Sequence, residues 1–288
     1  MRRAALAAIV LTALLAAAPA QAAHWRLVRA DRVPLSYFQG ITHSNAGSWF
    51  FDGVFQGVYR TDRDLHQKAG TPSVLTPDLL GQGFNHIGDL TWDARERGRL
   101  LLPMECFVPG APNGGNTCGR GAIGVADPAS LRLRYAVALD PADIPKAMWA
   151  EVAPGGDLMW TSSGRDLIAY RTADLFPGAP VPRPVRRLRS AVPPSGVTGA
   201  VFYRSRLMLA GQDTGVMEIW SVDVGTGTRR LELRLPGVRA ESEGLDILRA
   251  RGGVLHWLLS PFPPGGGRPT FGTGHSELLT FALSDGRH

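Results

Sequence analysis

The sequence predicts an all-β chain folded as a five-bladed β-propeller, and three observations carry that prediction. A short phrase, strand then small residue then apolar strand, recurs at Gln39-Gly40-Ile41, Ile87-Gly88-Asp89, Trp149-Ala150-Glu151, Thr198-Gly199-Ala200 and Glu243-Gly244-Leu245. Its small-residue anchors lie 48, 62, 49 and 45 residues apart, the spacing of a propeller with one four-stranded sheet per repeat. The final repeat is one strand short, and a spare strand stands at the other end of the chain to complete it.

The first 22 residues are expected to lie outside the fold. Arg2 and Arg3 give a basic start, Ala4 to Ala18 is an apolar run, and Ala20-Gln21-Ala22 ends in small residues. That is the pattern of a secretory signal peptide, too short and wrongly flanked for a membrane anchor. Residues 23–288 are expected to form a single propeller domain with no membrane span, exported to the periplasm or the medium.

The strands then follow in order. Trp25 to Val33 is the spare strand, preceding the first anchor phrase. In the second repeat the runs are Gly88 to Trp92, Arg99 to Glu105, Gly121 to Ala126 and Leu131 to Ala138. The third has Glu151 to Ala153, Leu158 to Ser162, Asp166 to Arg171 and Pro184 to Leu188. The fourth has Thr198 to Tyr203, Arg206 to Ala210, Met217 to Val222 and Arg229 to Leu235. The fifth has only Gly244 to Leu248, Val254 to Ser260 and Leu278 to Leu283. Each run is rich in β-branched or aromatic residues and bounded by turn formers. Pairing Trp25 to Val33 into the last sheet closes the ring and leaves no open edge. Six blades is the second choice, with only the longer second interval to house another sheet.

The formal charge is +6, and only Lys68 and Lys146 are lysines. Without Arg2 and Arg3 the balance is 29 basic against 25 acidic residues, a mild excess. The arginine-dense stretch from Arg183 to Arg189 has no aromatic interleaving, which argues against nucleic-acid binding. The two cysteines, Cys106 and Cys118, flank a Gly-, Pro- and Asn-rich loop; an even count in an exported chain predicts a disulfide.

Propeller geometry turns strand order into a choice of face. Connections entering the inner strands share one face with those joining second to third strands. Both longest loops, Cys106 to Arg120 and Pro261 to Ser276, fall there, and long loops on one side of a repeat fold often form its binding face. Gln39, Asn85, Thr198, Asp213 and Glu241 are the ligand-face candidates. His86, Asp89, Glu105, Glu151 and Glu243 are expected near the channel mouth. Crowded buried carboxylates either take up protons or share a cation. Asp89, Glu151 and Glu243, with Glu105 as a weaker fourth, could hold Ca2+, which accepts irregular oxygen ligation, with His86 as a general base. The same residues could equally form a polar network that only holds blades together.

Two resemblances add to this. Phe38 to His43, Asn85 to Asp89 and Ala147 to Val152 resemble segments of an uncharacterised family of exported bacterial β-propellers, which implies the fold and export without an activity. Glu243-Gly244-Leu245-Asp246 resembles the inner-strand start of the calcium propellers of the SMP-30, gluconolactonase and paraoxonase group, which implies a metal ligand at Glu243. That group is six-bladed, and its asparagine ligands match no motif here. The expected function is binding of a small ligand or cell-envelope component on the long-loop face; the other reading is a calcium-dependent lactone or ester hydrolase at the channel mouth. No Gly-x-Ser-x-Gly elbow or His-Glu-x-x-His helix occurs.

Overall fold

The computed structural model describes residues 24–284, apart from 54, 113–114, 214, 239, 249–252 and 262–273. The expected signal peptide and most of the second long loop therefore lie outside the described residues. Strand β1 (His24–Val33) opens the described chain. Blade 1 follows as β2 (Gly40–His43), β3 (Trp49–Asp52), β4 (Val58–Thr61) and β5 (Gln67–Thr71). A single turn of helix, α1 (Pro77–Gly81), capped by the Thr76 side chain, leads on. Blade 2 comprises β6 (His86–Ile87), β7 (Thr91–Asp93), β8 (Arg99–Glu105), β9 (Ala122–Ala126) and β10 (Leu133–Ala138). Both β6 and β7 pair with β8, so they are one inner strand interrupted at Gly88 to Leu90.

Blade 3 is β11 (Glu151–Val152), β12 (Leu158–Ser163), β13 (Asp166–Arg171) and β14 (Arg186–Leu188). Blade 4 is β15 (Gly199–Tyr203), β16 (Arg206–Asp213), β17 (Val216–Asp223) and β18 (Arg229–Pro236). Blade 5 is β19 (Ala240–Leu248), β20 (Val254–Pro261) and β21 (Ser276–Ser284), and β1 completes it in the order β1-β21-β20-β19. Five antiparallel sheets thus form a ring closed by the first strand, as the repeat count predicts.

Sheets buried on both faces need apolar residues at odd and even positions alike, and the strands supply them. Leu207 and Leu209 of β16 pack toward blade 3, whereas Met208 and Ala210 pack toward blade 5. In β8, Leu101 faces blade 3 while Leu100, Leu102 and Met104 face blade 1. Five apolar clusters result, one at each blade-to-blade interface. The smallest lies between blades 5 and 1, with Ile41, Trp49, Phe51, Leu258 and Leu278 among its members.

The recurring small residue has a direct cause. Inner strands converge on the axis, and the anchors sit where neighbouring backbones are closest. A Cβ on Gly88 would stand 1.9 Å from the Met148 carbonyl oxygen in blade 3. One on Gly199 would stand 2.3 Å from the Glu243 oxygen of blade 5, and one on Gly244 2.5 Å from the Ile41 nitrogen of blade 1. On Gly40 it would meet the Asp52 carboxylate at 2.3 Å and the Leu90 nitrogen of blade 2 at 2.8 Å. The repeat is thus a ring of close approaches that only small residues permit.

Candidate functional site

Polar side chains occupy three levels along the axis. At the long-loop mouth, the Gln39 side-chain amide donates to Glu243 Oε2 at 2.6 Å, and His86 Nε2 lies 3.2 Å from Gln39 Oε1. His86 Nδ1 is 3.2 Å from Glu105 Oε1, although the two are not aligned as a hydrogen bond. The Asn116 side chain donates to the Pro145 carbonyl at 2.9 Å and reaches Glu105 at 3.4 Å. Burial pushes Glu243 well above the usual carboxylate range, and the neighbouring acids Glu241, Asp52 and Asp89 add to it. Glu241 is raised too, chiefly by burial. The disulfide Cys106–Cys118 closes the loop above this mouth. Asn85 braces the same loop, donating to the Phe107 carbonyl at 2.9 Å and accepting from the Phe107 N–H at 2.7 Å. Thr198 bonds the Ser242 hydroxyl, and exposed Asp213 ends β16 at its turn.

At the middle level, Asp89 ties the ring together. Its carboxylate accepts backbone N–H groups from Ile41 (3.1 Å), Ala200 (2.9 Å) and Leu245 (3.5 Å), in blades 1, 4 and 5. Its own backbone bonds Met148 and Ala150 in blade 3. One residue of blade 2 therefore touches all four other blades. Beside it, fully buried Asp52 has no hydrogen-bond partner among the described residues on either carboxylate oxygen, and the Gly40 N–H faces it without hydrogen-bond alignment. Burial, then the proximity of Asp89, raises the Asp52 pKa; burial raises Asp89 despite its three N–H donors. Lower down, Glu151 accepts the Thr91 hydroxyl at 2.5 Å and the Phe202 N–H at 3.0 Å.

This arrangement tests the calcium expectation. A calcium ligand needs an oxygen lone pair free of donors. Asp89 and Glu151 direct their oxygens at N–H and O–H groups of other blades, and Glu243 faces the Gln39 amide. No three of Asp89, Glu151, Glu243 and Glu105 bring ligand atoms within 4.8 Å of one another, so they do not fit a common calcium ion. Elsewhere, Asp62, Asp64 and His66 bring ligand atoms within 4.8 Å of one another in a largely exposed turn, where the Asp62 carboxylate accepts the Asp64 and His66 N–H groups and pairs with Lys68.

The third level opens on the face opposite the long loops, into a cavity of about 1140 Å³. Residues of all five blades line it, and it reaches into the interface between blades 5 and 1. Its wall is a cross-strand row: Arg29 opposes Thr280, Thr280 opposes His256, and His256 opposes Asp246. Directly opposed residues share one sheet face, so all four look toward blade 1. His43 of blade 1 answers the row, its Nδ1 2.5 Å from Asp246 Oδ2, and Asp246 Oδ1 is held by the Ile247 N–H at 2.8 Å. The His43 side chain is 23% exposed and Asp246 only 5%. Trp49 stands edge-on to His256, ring centroids 4.7 Å apart, and 5.6 Å from His43. Burial lowers the His256 pKa to about 4, so its ring is neutral at neutral pH. His256 Nδ1 and Thr280 Oγ1 are buried with no hydrogen-bond partner among the described residues. Across the cavity, Arg95 is neutralised by Asp93, which also holds Arg99.

Gln39, His86, Glu105 and Glu243 thus meet at the long-loop mouth, while the cavity on the other face adds His43, His256 and Thr280, which the sequence did not single out, to Glu151, which it did. A signal was present: Asp246 and His256 each interrupt a run of buried apolar residues at a core-facing position.

No protein-family profile matches the chain, and no curated protein does. Solved structures do match. A candidate exo-β-1,3-galactanase from Bifidobacterium bifidum s17 superposes with a TM-score of 0.58 and 12% identity, over 88% of this chain and 92% of that one. The glutaminyl cyclase of Myxococcus xanthus gives 0.54 and 10%, over 91% and 97%. A luciferin-regenerating enzyme gives 0.50 and 10%, over 86% and 76%. At such identity the likeness is one of fold: the chain is a β-propeller, and its neighbours are propeller enzymes of different activities.

Proposed function

We propose that the chain is an exported propeller that binds a small molecule or a cell-envelope component. The small molecule is read into the cavity between blades 5 and 1. The observation that carries this reading is the row Arg29, Thr280, His256 and Asp246, polar side chains that line one wall of the cavity. Two of its buried polar atoms lack partners, and such atoms are costly unless a ligand or water satisfies them. A larger envelope component would instead meet the long-loop face, where the Cys106–Cys118 loop is braced by Asn85. A thermal-shift screen with neutral sugars, hydroxy acids and amino acids tests the cavity reading. A hit should raise the Tm of the wild-type protein and lose that effect in the double variant His256→Leu with Thr280→Val. A hit whose shift survives in that variant, and which protects residues 106–120 from hydrogen exchange, moves the site to the long-loop face.

The second reading is a calcium-dependent lactone or ester hydrolase with His86 as base, its ion held by Glu241 and Glu243 at the long-loop mouth rather than shared among Asp89, Glu151, Glu243 and Glu105. Its ground is the adjacency of Glu241 and Glu243 beside Gln39 and His86. Calorimetric titration with calcium should then show binding that Glu243→Gln weakens; no heat at millimolar calcium removes it.

A further inference from the structure

The cavity opposite the long loops has one rim and one wall with distinct chemistry. We infer that it takes a small hydroxycarboxylic acid, the carboxylate paired with Arg63 at the rim and the hydroxyls bonded to His256 and Thr280 on the blade 5 wall. The inference rests on the cavity reading above and goes further, from a small molecule to a ligand class.

The charges call for an anion. Three arginines line the cavity, Arg29, Arg63 and Arg95. Arg29 meets Asp31 at 2.5 Å and Arg95 meets Asp93 at 2.6 Å, whereas Arg63 has no acid partner among the described residues. The acids beside it in the chain belong to another cluster: Asp62 pairs with Lys68 at 2.9 Å, and Asp64 groups with Asp62 and His66. The Arg63 guanidinium lies instead against the backbone of Gly47, where a Cβ would stand 2.2 Å from Nε and 2.7 Å from Nη2. Gly47, in the turn between β2 and β3, also lines the cavity, so the guanidinium rests at its rim. The acids of the cavity are already met by donors: Asp246 by His43 and the Ile247 N–H, Glu151 by the Thr91 hydroxyl and the Phe202 N–H. A ligand ammonium therefore has to displace a partner, while a carboxylate meets a planar fork that binds it through two N–H groups. A phosphate would bring a second negative charge, with no second unpaired arginine among the described residues of the cavity.

The wall calls for hydroxyls. His256 and Thr280 are buried, and His256 Nδ1 and Thr280 Oγ1 have no hydrogen-bond partner among the described residues. The two residues oppose each other across β20 and β21, close enough for one edge of a ligand to meet both. A hydroxyl donates and accepts, so it satisfies either tautomer of the neutral His256 ring and the threonine hydroxyl alike. A ligand that buries this wall without hydroxyls leaves both atoms unsatisfied, at a cost.

Calorimetric titration of the full-length mature protein tests the inference. The probes are D-glucuronate and D-gluconate, with D-glucose as the uncharged counterpart and cyclohexanecarboxylate as the acid without hydroxyls. At least one of the two hydroxy acids should bind about 10-fold or more tighter than D-glucose and than cyclohexanecarboxylate. Arg63 is exposed, so Arg63→Gln should keep the wild-type Tm; it should weaken the hydroxy acid about 10-fold or more and leave the weak binding of D-glucose unchanged. Arg183→Gln, at an exposed arginine beside blade 3, should behave as wild type. The inference falls if D-glucose binds as tightly as the hydroxy acids, or if Arg63→Gln binds them as wild type does. It also falls if glucose 6-phosphate binds more tightly than either, which would make the anion a phosphate. If no carboxylate binds but a screening hit loses its Tm shift in His256→Leu with Thr280→Val, the cavity reading stands and the ligand class falls. If hydroxy-acid binding survives both Arg63→Gln and that double variant, both readings fall together.

Discussion

Gly88→Ala is the sharpest test of why the small-residue phrase recurs. The new methyl carbon would sit 1.9 Å from the Met148 oxygen, 2.5 Å from its carbonyl carbon and 2.9 Å from its Cα, all backbone atoms of blade 3. Reaching even 3.0 Å requires the two inner strands to part by about 1.1 Å. That opening stretches the Asp89 N–H bond to Met148 (2.9 Å) and the Ala150 N–H bond to Asp89 (3.3 Å), which stitch blades 2 and 3 together. Overpacking costs about 1–3 kcal/mol, and two weakened hydrogen bonds add about 0.5–1.5 kcal/mol each. The sum, about 4 kcal/mol, is a large part of a typical stability of about 5–15 kcal/mol. For a domain of this size it corresponds to a fall in Tm of about 8–12 °C, read by scanning calorimetry. Ala150→Gly, at the anchor that already tolerates a methyl, should cost no more than about 1 kcal/mol. A Gly88→Ala protein melting within 2–3 °C of wild type would refute the close-approach explanation.

The axial acids give a pH signature. Asp52, Asp89 and Glu243 keep their protons to higher pH in the folded chain than in the unfolded one, so the unfolded chain loses protons first as pH rises. Their contribution to stability therefore falls from about pH 4 toward neutrality, and Asp52→Asn should flatten that slope and raise the Tm at pH 8. His256 acts in the other direction: its folded pKa of about 4 lies below the ordinary histidine value, so stability is lost as pH falls from about 6.5 to 4, by at most about 3 kcal/mol. His256→Gln should remove that acid-side loss, as melts at pH 4.5 and 7 would show. Reducing Cys106–Cys118, 12 residues apart, should destabilise the protein by about 3 kcal/mol, seen as a lower Tm in dithiothreitol with two free thiols by mass spectrometry.

The architecture was legible because propellers write it in three redundant ways. The anchors repeat, the strands carry apolar residues on both faces, and Trp25 to Val33 stands apart as the closing strand. The inner strand of blade 2 was read as continuous from Gly88 to Trp92, whereas it is broken there. Gly88 still donates to Pro103 of β8, but Asp89 bonds to blade 3 instead, a choice made by the neighbouring sheet and invisible to local pattern. The acids of the axis were also legible, since Asp89, Glu151 and Glu243 occupy slots flanking the anchors. Their partners were not: Asp89 meets Leu245 from 156 residues away, and only ring closure brings those groups together. The cavity row was harder still. Arg29, Thr280, His256 and Asp246 become neighbours only when three strand registers are known, one of them formed by the closing strand.

If the cavity lined by the row Arg29, Thr280, His256 and Asp246 is the ligand site, a crystal structure with the strongest thermal-shift hit should show ligand density against Trp49 and His43, with polar atoms within hydrogen-bond distance of His256 Nδ1 or Thr280 Oγ1. Density at the long-loop mouth, with the cavity holding only solvent, would contradict it.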